Sequence, residues 1–477
     1  MNYRLAAHVE LMDRNGENLL VSRNPLCIMK VNRSLAELFK GGRDGVVSPA
    51  SAGVAAVLEQ LAAKGFLERL RPAGIGGESL PFISVVIPVK DRAGELRRCL
   101  ESIKRVDYPD RLVQVIVVDD GSSDDSASVA AAHGALVIPS GGSGRGPAAA
   151  RNVGARAACG EILAFIDSDC TASVDWLAEL LPAFTDPKTV AVGGLVDGMC
   201  SESAVDRYEK VMSSLSLGGR EMTGGSGGDT FYLPSCNLLV RREAFLQAGG
   251  FNDLMHVGED VDLTWRLRDS GWTIAYLPVG RVFHEHRSSI RSFMSRRFDY
   301  GTSEGTLQRL HPLRHKRMVV PPLLAIILAL CVIGPFTGWW SIAAAAAILI
   351  IDTTRVCVRL NRSALPIGLP AIIAGRLRAL GSLVYYLSYH LVRYYAAPLL
   401  IITLIVPKFG LLFLAVIGCA AGVDHAVRKP RLSFLLFTAI YLMEQFAYGA
   451  GVFSGCLRGR TFASYRVEIL RQMALPA

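Results

Sequence analysis

The sequence predicts an α/β domain with a mostly parallel central sheet, preceded by a small winged-helix-like domain and followed by a helical membrane domain. Three observations predict it. Short β-branched runs at 85–87, 113–118 and 162–166 alternate with helix-like segments from Phe82 onward, the pattern of βαβ units on parallel strands. After Arg317 come apolar stretches at 319–336, 398–423 and 432–453. A membrane helix needs about 20 apolar residues; the last stretch meets that length, and the others do with turns at Pro335 and Pro407. Before residue 73, two strand-like runs flank an Asn-Gly turn and lead into helix-like segments.

In the N-terminal unit, Arg14-Asn15-Gly16-Glu17 is a hairpin signal. Ser34-Leu35-Ala36-Glu37 reads as a capping box opening a short helix. Ser48-Pro49 opens another, with Val54, Val57, Leu58 and Leu61 at helical spacing. Gly65-Phe66-Leu67-Glu68 closes the unit as a strand, and the glycine-rich residues 72–80 read as a linker. The expected organisation is a winged-helix-like domain over 1–72, the α/β domain over 81–305, membrane helices over 318–456 and a basic tail over 457–477.

The chain carries 51 Lys and Arg against 42 Asp and Glu, a net +9. These cations cluster beside apolar segments, as at Arg314, Lys316 and Arg317, and at Arg428, Lys429 and Arg431. Cytoplasmic loops of membrane proteins carry such an excess. The large N-terminal part and the tail are therefore expected on the cytoplasmic side of a multi-pass cell-membrane protein, with an even number of spans, four by this count. No continuous basic stripe with interleaved aromatics is present, so nucleic acid is not an expected partner. The ten cysteines form no Cys-x-x-Cys pair, which excludes the usual zinc and redox motifs and reads as a reducing compartment. No apolar run follows Tyr3, Arg4 and His8, so no cleavable signal is expected.

The polar motifs fall at the ends of the apolar strands, where α/β sheets bind ligands. Pro88 and Asp91 follow the first strand, and Asp119-Asp120-Gly121-Ser122 ends the second. Carboxylates there can accept hydrogen bonds from a nucleotide, or simply cap a helix. The loop from Gly141 to Gly146 leads into a helix bearing Arg151 and Asn152, with backbone N–H groups suited to a phosphate or sugar. Ile166-Asp167-Ser168-Asp169 sets two carboxylates, one residue apart, at the end of a buried strand, the type of ligand that holds a hard divalent cation on a substrate diphosphate. Glu259-Asp260-Val261-Asp262 starts an amphipathic helix. Acids are favoured in a first helical turn, but Asp260 is also suited to take a proton from a hydroxyl. His284 and His286 alternate on an extended segment, so either can complete a metal shell. Arg296 and Arg297 either clamp a diphosphate or form a juxtamembrane patch touching anionic membrane lipid.

In this order, Pro88, Asp119-Asp120-Gly121-Ser122, the run from Gly146 to Gly154, Asp167-x-Asp169 and Glu259-Asp260 resemble the signature of glycosyltransferase family 2. The resemblance spans residues 81–305. It implies a GT-A fold, a nucleotide-sugar donor (UDP-linked in most members), Mn²⁺ or Mg²⁺, and inversion at the anomeric carbon. It implies further that Asp119 or Asp120 holds uracil and ribose, and that Asp167 and Asp169 meet ribose and metal, with Asp169 the better metal ligand. Asp260 would be the base, and His284 or His286 a further metal ligand. The N-terminal unit is similar to peptide-binding winged helices of ribosomal-peptide cofactor pathways. Together with a family 2 domain and an apolar C-terminus it implies glucosylation of a small peptide-derived redox cofactor of the mycofactocin type, with a precursor peptide or partner protein at the N-terminal domain.

The Gln-x-x-Arg-Trp motif of processive polysaccharide synthases is missing, since residues 292–297 read Ser-Phe-Met-Ser-Arg-Arg. Two other readings remain open at this point. One is a membrane polysaccharide or glycolipid synthase, with Glu444 and Gln445 either lining a path through the membrane or pairing with polar groups on neighbouring helices. The other is a non-catalytic, membrane-anchored peptide-binding scaffold.

Overall fold

The computed structural model describes residues 2–14, 16–23, 26–41, 46–49, 51–70, 80–142, 144–225, 229–362 and 368–470. The linker expected over 72–80 lies outside them except for Leu80. The chain divides into two compact units, one of Met1–Pro72, Arg317–Ser388 and Glu468–Ala477, the other of Ala73–Lys316 with Tyr389–Val467.

The N-terminal segment runs β1 (Asn2–Leu5), β2 (Val9–Arg14), β3 (Glu17–Arg23), β4 (Leu26–Val31), α1 (Arg33–Gly41), β5 (Val46–Val47), α2 (Ala52–Ala63) and β6 (Leu67–Leu70). β2, β3 and β4 form an antiparallel meander, with Arg14 opposite Glu17 as a two-residue hairpin requires. A second sheet has the order β5-β1-β6. Tyr3, Leu20, Phe39, Leu58 and Phe66 close the core between them. Both helix starts differ from expectation. The Leu35 N–H donates to Asn32 Oδ1 at 2.8 Å, so Asn32 caps α1 and Ser34 lies inside it; β4 ends at Val31, and asparagine caps as well as serine. Ser51 caps α2 by accepting from the Val54 N–H, while the Ser48 hydroxyl is occupied by Asn2.

The next segment runs β7 (Ile83–Val89), α3 (Ala93–Ile103), β8 (Val113–Asp119), α4 (Ser126–Ala132), β9 (Leu136–Pro139), α5 (Pro147–Ala157), β10 (Ile162–Ile166), β11 (Cys170–Ala172) and α6 (Trp176–Leu180). It continues with β12 (Thr189–Gly193), β13 (Val196–Gly198), α7 (Ala204–Met212), β14 (Met222–Gly224), β15 (Asn237–Arg241), α8 (Arg242–Gln247), α9 (Glu259–Asp269), β16 (Thr273–Tyr276), β17 (Val282–His284) and α10 (Ile290–Leu310). Eight strands form the central sheet in the order β14-β16-β12-β15-β10-β7-β8-β9. All run one way except β15 and β14. Every residue of β7 and β10 is buried, because helices cover both faces of a parallel sheet. The carboxyl ends of β7, β8 and β10 lie side by side and carry Asp91, Asp119, Asp120 and Asp167 to one edge.

The rest is helical: β18 (Lys316–Val319), α11 (Pro322–Thr337), α12 (Trp339–Arg362), α13 (Leu369–Ile405), α14 (Gly410–Arg428), α15 (Phe434–Gly459) and β19 (Val467–Leu470). Among the described residues, four helices, at Trp339–Val358, Leu369–Ile405, Pro407–Arg428 and Phe434–Gly459, are long and apolar enough to cross a membrane. The turn expected at Pro335 is not there. α11 runs on to Thr337 and breaks at Gly338, whose φ of 81° suits glycine. Pro398 lies inside α13. In the larger unit, α10 packs along α15 through Gly301 and Gly305 against Gly451 and Gly455. A Cβ at Gly451 would overlap the Phe298 carbonyl, and one at Gly455 the Thr302 carbonyl. This is close backbone approach through small residues four apart.

Candidate active site

The strand ends, the start of α9, β17 and α10 enclose a cavity of about 950 Å³. Pro88, Asp91, Asp120, Arg151, Asp167, Asp169, Glu259, Asp260, His284, His286, Arg296 and Arg297 all line it. Asp119 and Asn152 are not among its lining residues. The Asp119 carboxylate accepts from the Ser122 N–H and closes the turn. The Asn152 side chain bonds the Phe251 N–H and carbonyl and Asp253.

Several of the acids organise loops. Asp120 is buried and accepts from the Ser140 hydroxyl at 2.6 Å and from the backbone N–H groups of Arg145 and Gly146 at 3.0 and 2.9 Å. It therefore fastens the glycine loop to the end of β8. Asp91 sits in the left-handed region at φ 49° and accepts from the Ser123 N–H and hydroxyl. Those bonds hold its carboxyl below the usual range.

Arg151 is almost fully buried and bridges Asp167 at 2.5 Å to Glu259 at 2.9 Å. This one guanidinium ties the end of β10 to the first turn of α9, residues 92 apart in sequence (259 − 167). Asp260 stands beside it and accepts from the N–H groups of Ser235 and Val261. Burial, reinforced by Glu259 next to it, pushes Asp260 up to about 7. A base acting near neutral pH works best in that range. Gly258 before α9 has φ 82°, and a Cβ there would come within 2.9 Å of Ser303 on α10. Only glycine brings this helix start so close.

Asp169 forms an ion pair with Arg92 and lies 3.6 Å from His284 Nε2. Burial opposes ionisation of Asp169, but His284 and Arg92 together hold its carboxyl below the usual range. Donor atoms of Asp169, Cys170 and His284 all lie within 4.8 Å of one another. A carboxylate with an imidazole suits a divalent cation of the Mn²⁺ type. Cys170 fits less well, because a hard cation of this kind prefers oxygen and nitrogen donors to a thiol sulfur. The His284 and His286 rings lie 4.8 Å apart, and His284 Nδ1 and His286 Nε2 are buried without a hydrogen-bond partner among the described residues.

The two arginines of α10 separate. Arg297 is buried between Glu209 at 2.8 Å and Glu444 at 3.3 Å. Arg296 is exposed and lies over the Tyr300 ring. Glu444 also accepts from Tyr208, and Gln445 from Arg393. Both therefore pair with neighbouring elements, and neither lines the cavity. Sequence reading missed Arg92, which has no motif around it beyond its place after Asp91. It also missed Tyr389, Arg393, Tyr394 and Tyr448 as cavity residues, since they sit in stretches read as membrane helices. The Gly301-x-x-x-Gly305 and Gly451-x-x-x-Gly455 spacings were a readable signal for that packing.

Residues 84–248 match the family model for glycosyl transferase family 2. The pre-mycofactocin glycosyltransferase of Mycobacterium tuberculosis is 30% identical over 464 residues, covering 94% of each chain. A beta-monoglucosyldiacylglycerol synthase of Trichormus variabilis is 27% identical over 216 residues, covering 42% of this chain and 44% of its own. Among solved structures, a mannosyltransferase from Pyrobaculum calidifontis in complex with GDP-Man and Mn²⁺ covers 69% of this chain and 95% of its own, at 20% identity and a TM-score of 0.40. With its GT-A sheet and a relative matched along nearly its whole length, the chain belongs to glycosyltransferase family 2.

Proposed function

We propose that the chain is an inverting, metal-dependent glycosyltransferase passing glucose from UDP-glucose, in β linkage, to a small peptide-derived redox cofactor of the mycofactocin type. The observation that carries this reading is the likeness to the pre-mycofactocin glycosyltransferase over 94% of both chains. The convergence of Asp167, Asp169 and Asp260 on one cavity supports it.

In this reaction the acceptor hydroxyl oxygen bonds to the anomeric carbon from the face opposite the diphosphate. The carbon–oxygen bond to UDP breaks, and the hydroxyl proton goes to the Asp260 carboxylate. Asp167 holds the donor ribose, kept in place by Arg151. Arg296 meets the diphosphate, a role for which Arg297, paired with Glu209 and Glu444, is less suited. Mn²⁺ or Mg²⁺, when bound at Asp169 and His284, supplies Lewis-acid neutralisation of the leaving diphosphate. Asp120, Gly144 and Gly146, which line the cavity, meet uracil and ribose. The N-terminal domain takes a precursor peptide or partner protein, and the apolar helices hold the active site at the cytoplasmic face of the cell membrane.

The test is mass spectrometry of UDP-glucose, Mn²⁺ and the unglycosylated cofactor incubated with the full chain. A cofactor carrying added hexose is the expected product. Exclusive formation of a long polysaccharide or a diacylglycerol glycoside would replace this reading with the synthase one.

A further inference from the structure

We propose that α15 does not cross the membrane but lies along its surface, with its outer face in the headgroup and acyl boundary of the leaflet beneath the catalytic domain. This rests on the reading above that the apolar helices hold the chain at a membrane. At 26 residues, about 39 Å, α15 is long enough to span the ~30 Å hydrocarbon core. Its packing forbids it. From its first turn to its last it lies on elements of the α/β domain. The Phe437 ring is 5.2 Å from that of Tyr208 on α7, and Glu444 meets Tyr208 at 2.6 Å and Arg297 at 3.3 Å. Gly451, Gly455 and Gly459 follow against Phe298, Thr302 and Gly305 of α10. In the middle, Tyr448 lines the same cavity as Asp167 and Asp260. A spanning α15 would carry α10 into the hydrocarbon, with Arg291, Arg296, Arg297, Asp299, Glu304 and Arg309, and charged side chains there are costly.

The two ends of α15 lie on one side. Just before it, Arg428 donates at 3.2 Å to the carbonyl of Val211, near the end of α7. Beyond it, the Ser464 carbonyl accepts from Lys316 at 2.8 Å, and Lys316 also pairs with Glu304 of α10. Exposed cations flank both ends: Arg428, Lys429 and Arg431 on one, Arg458, Arg460 and Arg466 on the other. A span joins a cation-rich side to a cation-poor one, whereas a helix lying on anionic lipid is favoured by cations at both ends. The face turned away from the α/β domain is apolar from end to end. Leu435, Leu442, Phe446, Phe453 and Leu457 recur there at helical spacing, and Leu435, Phe453 and Leu457 are exposed. One face packed on protein and the opposite one apolar and open is the pattern of a helix lying in the interface.

Sidedness labelling tests this on the full chain in sealed membrane vesicles of each orientation. A membrane-impermeant maleimide is applied to Arg431→Cys and to Arg458→Cys, and peptide mass spectrometry tells the introduced thiol from the ten native ones. The exposed Cys159 of the α/β domain reports which vesicles show the catalytic side. Both introduced thiols are expected to react only where Cys159 reacts. Reaction of the two in vesicles of opposite orientation would overturn the proposal. A second readout needs no reagent access: Leu435→Trp, Phe446→Trp and Leu457→Trp in bilayers of lipids brominated at shallow or deep positions of the acyl chain, each read as the difference from the unaltered chain. All three are expected to lose more emission to shallow bromines than to deep ones. Loss mainly to deep bromines for Phe446→Trp, with loss to shallow ones at the other two positions, would mark a crossing helix and overturn the proposal. No loss at any of the three would overturn it as well. Recovery of the chain in the soluble fraction of lysed cells is a separate result, and it would overturn the membrane reading instead.

Discussion

At the scale of single residues, the site works by setting carboxylates of the same kind in different surroundings. Asp260 is half-buried beside Glu259 and raised to about 7, whereas Asp169 is held low by His284 and Arg92. One is therefore fit to take up a proton near neutrality and the other to stay ionised as a ligand. Asp260→Asn should lower kcat by about 10²–10⁴-fold with donor affinity retained, measured by UDP release and UDP titration. Because the base must be deprotonated to act, kcat/KM should rise with pH up to about 7 and then level off. A profile flat from pH 5 to 9 would rule out Asp260 as the titrating base. Asp169→Ala should abolish the Mn²⁺-dependent part of UDP binding in calorimetry, and full retention of that part would place the metal elsewhere.

At the scale of elements, the seam between α10 and α15 joins the catalytic sheet to the apolar helices of the larger unit. Its backbones touch because glycines face each other, so Gly451→Leu must push the helices apart. The expected cost is at the high end for a point substitution, above about 4 kcal/mol, read as a fall in thermal midpoint. A midpoint within a degree of the unaltered chain would mean the helices separate freely. Much of this scale was legible in the sequence. The β-branched runs became β7, β8 and β10, and the acids at their ends reached one edge of the sheet. Local capping was less legible: Asn32 and Ser51, not Ser34 and Ser48, satisfy the helix starts. Several capping residues lay within reach, and which one acts depends on where the preceding strand lets go.

At the scale of the whole molecule, the catalytic part of the larger unit does not stand apart from its helices. Tyr208 and Arg297 both turn to Glu444, 147 residues beyond Arg297 (444 − 297). A fragment ending at Lys316 would leave Arg297 buried with half its partners, a loss of about 3–5 kcal/mol where a buried pair is broken. Such a fragment should aggregate or unfold at lower denaturant than the full chain, as followed by circular dichroism. Equal stability would show the helices to be dispensable.

The sequence by itself determined that β7, β8 and β10 form, that apolar helices follow the α/β domain, and that acids such as Asp91, Asp120 and Asp167 gather beyond the strand ends. Hydrophobic periodicity and the chemistry of turns are local, and they survive being read one segment at a time. Only the tertiary structure decided how those acids differ. Arg151 spanning Asp167 and Glu259, Arg92 meeting Asp169, and the tyrosines of α13 and α15 reaching the cavity are contacts between distant segments. Burial and charge depend on such neighbours in space, which no local pattern in the chain specifies.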